Sequence, residues 1–196
     1  MTTPTIEQFV GASALLAAVT TVVGMVTLLL FFARGGPWGK LNDASSVVLM
    51  LAMVPIALLL AVFESEVVTT TALVVAAIGI IAMLAIAVLQ AALVAGRVTY
   101  DQTKLAVLGL GAVVGVWYLL TGLLTEHTAV PGLLRPLAIA AGVGFIAVGF
   151  GFAVGGERHP ASTIGGLVLF IGSMAFLTWL GLVLIDGSLR VPVWNQ

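Results

Sequence analysis

The chain of 196 residues contains no cysteine. Disulfides, thiolate metal sites and thiol nucleophiles are therefore excluded, and redox compartment leaves no trace. Charge is also scarce. Seven Lys+Arg and eight Asp+Glu make up 8% of the residues, where a soluble domain carries about 25%. So few charges cannot cover a water-facing surface. A net charge of −1 provides no basic field, which excludes nucleic acid as a partner. Ionisable residues are missing from the interiors of the long apolar runs as well. Such residues mark proton relays and ion-coupled carriers, so a proton pump or a carboxylate-based sodium carrier is not expected. By the topology derived below, His127 and His159 fall on opposite membrane faces. They cannot share a haem or zinc, and no cofactor is expected.

What is abundant is apolar: 61% hydrophobic residues and a mean hydropathy of +1.26. About 20 such residues cross a bilayer as a helix. Six runs qualify, at about 9–33, 45–63, 68–95, 104–124, 132–154 and 162–185. They are continuous, without the apolar–polar alternation of a barrel. The expected fold is an all-α integral membrane protein, a bundle of six transmembrane helices with short loops forming a single domain over 1–196. The N-terminus "MTTPTIEQF" lacks a basic region and a small-residue cleavage site. Its apolar run reads as a permanent span, not a signal peptide.

Turn chemistry separates the runs. Gly35-Gly36, Gly96 and Gly155-Gly156 follow the first, third and fifth spans, where glycine can close a helix. "TYDQ" at 99–102 fits a capping box. Pro136 and Pro160 suit first helical turns, and Pro55, inside the second run, is expected to kink that helix by freeing the Leu51 carbonyl. The stretch "RGGPWGKLND" at 34–43 is no phosphate-binding loop. Leu41 follows Gly39-Lys40, and Arg34 stands where the first glycine is required. It reads as a turn, with Asn42 or Asp43 capping the second helix. "FARGG" at 32–36 returns as "FAVGG" at 152–156, a faint sign of a repeated hairpin.

Arg34, Lys40, Arg97, Lys104 and Arg158 flank the odd loops, whereas Arg135 and Arg190 flank the other side. The positive-inside rule then places the odd loops in the cytoplasm of a cell-membrane protein, with both termini extracytoplasmic. Gln90 is the most polar residue inside any run. Arg97, seven positions on, shares its face if the helix extends that far. With Asn42, Asp43 and His159, these form a candidate ligand site at the cytoplasmic mouth, and Asp101, Gln102, Lys104, Glu157 and Arg158 fall on the same inner face. The choice of this end rests on contrast. Glu64, Glu66, Glu126, His127, Arg135 and Asp186 read as a rim on the far side, with no polar group dipping inward. Glu126-His127 offers no nucleophile. Trp117 and Tyr118 are candidate walls of an intramembrane pocket.

The clearest pattern is small residues at helical spacing. Ala140, Gly144, Ala147, Gly151 and Gly155 line one helix face, and Gly111, Gly115 and Gly122 another. Such faces let backbones approach closely. Expected partners are membrane lipids and either a second copy or a partner membrane protein. Function orders as a non-catalytic scaffold, sensor or accessory module first, a channel or facilitator for a small neutral solute second, and a membrane enzyme on a lipid-soluble substrate third.

Overall fold

The computed structural model describes residues 5–156 and 158–190, without the side chains of Glu66 and His127. The expectations on Glu157 and on those two side chains lie outside the described residues. Six helices are long and apolar enough to span a membrane: α1 (Ile6–Arg34), α2 (Trp38–Ser65), α3 (Val67–Val94), α4 (Tyr100–Leu124), α5 (Leu134–Gly155) and α6 (Pro160–Ile185). A 3₁₀ turn at Thr125–His127 follows α4. The molecule is thus an all-α, multi-pass membrane bundle.

The α2–α3 junction is the tightest. Backbone geometry leaves the helix only at Val68, with φ −144° and ψ 79°. That the chain reverses there follows from its contacts. Gly79 abuts Trp117, and the hydroxyl of adjacent Tyr118 reaches the Met53 sulfur at 3.7 Å. Met53 and Gly79 therefore lie at one depth, which a straight helix rising 1.5 Å per residue forbids.

Neighbouring helices are antiparallel and follow a ring in chain order. Along α1, Gly24 meets Ser45 and Phe31 meets Gly39 of α2. Along α4, Gly115 meets Gly142 and Phe145, whereas Gly122 meets Arg135 and Ile139 of α5. As α5 runs from Gly144 to Gly151, its α6 partner falls back from Leu169 to Ser162. Gly11 of α1 packs on Gly181, Leu184 and Ile185 of α6, which closes the ring. Lipid is as apolar as a leucine side chain, so burial from water cannot drive these contacts. Close backbone approach and dispersion do. α5 uses two glycine faces: Gly142 and Gly149 toward α4, Gly144 and Gly151 toward α6. The partner of the Gly144–Gly151 face is thus a helix of this chain. Gly111 has only the Phe145 ring nearby, at 3.8 Å.

Loop glycines carry the backbone that ends α1, α3 and α5. Gly35, Gly36, Gly96 and Gly156 all have positive φ, between 64° and 74°. The two Gly-Gly turns nevertheless differ in register. α1 ends before Gly35, whereas Gly155 is still helical. Asn42 and Asp43 do not cap α2. It begins at Trp38 after Pro37 with no side-chain cap, and both residues lie inside the helix. Proline supplies the entry because its missing N–H needs no partner there. Pro55 is accommodated without a break in the helical backbone angles.

Candidate functional site

Two faces of the bundle follow from the topology. One, the basic face, carries the α1–α2, α3–α4 and α5–α6 turns. The other carries the α2–α3 reversal, the Thr125–Leu133 segment and the outer ends of α1 and α6.

At the basic face the sequence-selected residues separate. α3 ends at Val94, and the Arg97 N–H closes it on the Ala92 carbonyl at 2.9 Å. Arg97 therefore lies beyond the left-handed Gly96, exposed, and does not extend the Gln90 face. His159 is occupied as the N-cap of α6. Its Nδ1 accepts the Ala161 N–H at 3.2 Å, and its ring stands edge-on to Phe150. Asn42 and Asp43 are half-buried, with the Asn42 amide on the α1 seam near Gly24. Gln90 is 8% exposed, and its Oε1 has no hydrogen-bond partner. Among the described residues, no hydrogen bond or ion pair joins Gln90, Arg97 and His159 to one another or to Asn42 and Asp43.

At mid-depth the ring is filled. Tyr118 contacts Trp117 at 4.7 Å, Phe176 at 5.5 Å and Phe145 at 6.0 Å between ring centroids, two of these edge-on. Its hydroxyl ends on Met53. One tyrosine thereby joins α2, α4, α5 and α6. Trp117 turns toward Gly79 of α3, where only the absent Cβ leaves room for the indole. Trp117 and Tyr118 form a packed plug here, and the groove that α4 and α5 present elsewhere is shallow and apolar, lined by Leu105, Leu108, Gly109, Ala112, Gly149 and Ala153.

The far end departs most from the sequence reading. Glu64 is not a rim residue: it is 2% exposed, in the last turn of α2. Thr121, in the last turn of α4, is 1% exposed and stands beside the Glu64 carboxyl. The two face each other without completing a hydrogen bond, so Glu64 Oε1 and Thr121 Oγ1 are both unpartnered. The other rim groups whose side chains are described are satisfied locally. Arg135 pairs with Glu126 at 2.8 Å, and Asp186 accepts the Ser188 N–H at 2.8 Å. The contrast that favoured the basic end therefore fails, because buried polar groups dip inward from both ends. Hydropathy missed Glu64 because it ends a span at the first charge. A one-residue reversal instead keeps that charge inside.

The chain matches no family model, no curated protein and no solved structure.

Proposed function

We infer that this chain is a non-catalytic module of the cell membrane, a scaffold, sensor or accessory to a partner membrane protein. In this reading the basic face is cytoplasmic and both termini lie outside. The observation that carries it is the aromatic plug. Tyr118, Trp117, Phe145 and Phe176 fill the middle of a closed ring, where a conduit needs a polar lining and a passage. At the basic face, His159 and Gln102 are spent on helix caps and Lys104 on an ion pair with Asp101, which is structural work. Lipid is the immediate partner of the outer surface, through side chains such as Phe9, Phe32, Phe150 and Ile164.

The facilitator reading keeps one observation in its favour: unpartnered polar atoms lie near both ends of the α2–α3 hairpin, at Glu64 and Gln90. Flux in reconstituted vesicles separates the two. Vesicles holding the protein should swell in urea or glycerol no faster than protein-free vesicles. Swelling well above that baseline would replace the module reading with the facilitator. Reporter fusions at both ends test the orientation, and a cytoplasmic signal from either end reverses it.

A further inference from the structure

A carboxylate in an apolar interior must be neutralised, by a proton or by a bound cation. An isolated carboxylate in hydrocarbon costs far more than a fold can carry. Glu64 is buried, and among the described residues no basic side chain pairs with it. Arg135, the cation on the neighbouring helix start, is committed to Glu126. Thr121 adds a second buried oxygen with no partner. Most buried hydroxyls in this bundle bond to their own helix: Thr27 to Val23, Thr103 to Thr99 and Ser173 to Leu169. Thr121 departs from that habit and turns its oxygen to the carboxyl. Glu64 and Thr121 also each lie within a turn of a helix C-terminus, where partial charge is negative. The positive start of α3 offsets one of these ends, leaving that of α4.

We propose that Glu64 and Thr121 form a binding site for a small monovalent cation, held between the α2–α3 reversal and the end of α4. One bridging cation satisfies both oxygens and neutralises the carboxylate. A divalent ion is disfavoured, since it calls for several acidic ligands, and no group of three acidic or histidine side chains gathers among the described residues. The site goes beyond the module reading. Its failure would leave the plug and the flux experiment untouched.

The test uses the full chain in detergent at constant pH and ionic strength. Choline chloride is exchanged stepwise for sodium, lithium, potassium or ammonium chloride, and thermal unfolding is followed. At least one of these cations should raise the midpoint above that in choline, saturably. Which cations act separates a metal ion from an ammonium group. Glu64→Gln should abolish the response. Thr121→Val should weaken apparent affinity by about tenfold or more, as expected for one lost contact to a charged group. Thr121→Ser, which keeps the hydroxyl, should restore it. Thr27→Val, a buried threonine bonded to its own helix, should leave the response unchanged. If Glu64→Gln does not fold, the three threonine variants still decide. Equal midpoints in all five salts would overturn the site, as would a cation response that survives in Glu64→Gln or is unchanged in Thr121→Val. A midpoint that follows pH but ignores all four cations would mean that the carboxyl carries only a proton, which also overturns the proposal.

Discussion

Gly144 and Gly109 are both helical glycines, yet a methyl group added to each meets opposite surroundings. At Gly144 it runs into the backbone of Leu169 and the Gly165 carbonyl, and at Gly151 into the backbone of Ser162. Backbone cannot step aside as a side chain can. Gly144→Leu and Gly151→Leu should each destabilise by at least about 1–3 kcal/mol through overpacking. At Gly109 nothing lies within 4 Å of the added atom. Gly109→Ala should hold or raise stability, by up to about 1 kcal/mol from helix propensity. Thermal unfolding in one detergent measures all three, and equal midpoints would refute the packing assignment. Gln90 sets a different problem, because its buried Oε1 is unpartnered while His159 is spent on a cap and Arg97 lies exposed beyond the helix end. Gln90→Leu should fold with stability unchanged or improved, since it removes an unmet acceptor. A clear loss of stability would mean that the Gln90 amide makes contacts that matter.

Helix ends show what local chemistry settles and what it leaves open. At the start of α4 the Gln102 Oε1 accepts the Thr99 N–H at 2.8 Å, the reciprocal half of the expected capping box. Gln102→Ala should cost about 0.5–1.5 kcal/mol, the typical net worth of one hydrogen bond. Amide exchange at Thr99 should accelerate while exchange in mid-α4 is unchanged. The six spans were legible for a simple reason: long uninterrupted apolar runs have no other stable form in lipid. Boundaries were legible where glycine or a capping box marks them, as at Gly35, Gly96 and Thr99. They were hidden where charge and helix overlap. The polar stretch Trp38–Asp43 is helical although hydropathy assigned it to a loop, because helix and hydrocarbon need not share an edge. The reversal at Ser65–Val68 contains no glycine, proline or asparagine, so no turn signal announced how short it is. Burial of Glu64 depends on that shortness and on a helix more than fifty positions away, which periodicity along one segment cannot reveal. Arg97 was misplaced by the opposite error, a helix face extended through a glycine that ends it.

At the scale of the whole molecule, the decisive contact is between the first helix and the last. The Cβ of a residue at position 11 would lie 3.1 Å from the Leu184 Cβ, closer than the about 3.5–4.5 Å of a disulfide, so the two helices must part by a few tenths of an ångström for the bond to form. Because the chain has no cysteine, Gly11→Cys with Leu184→Cys introduces a lone pair that can react only with itself within one molecule. Mild oxidation should convert the double variant to a faster-migrating species on a non-reducing gel, restored by reductant. Dimer alone would show that α1 and α6 meet between copies and that the ring is open. A closed ring with an even number of helices also has no privileged starting point. The chain enters α1 and leaves α6 on the same face and side by side, so a short linker could join them and a new break could be made elsewhere. Such a circular permutant, reopened in the 128–132 segment, would send α5 into the membrane first and α4 last, with both new ends on the same face as the old ones. The packing is indifferent to that order, but membrane insertion is not. The pair of molecules would show whether this fold is dictated by its contacts or by the sequence in which its helices arrive.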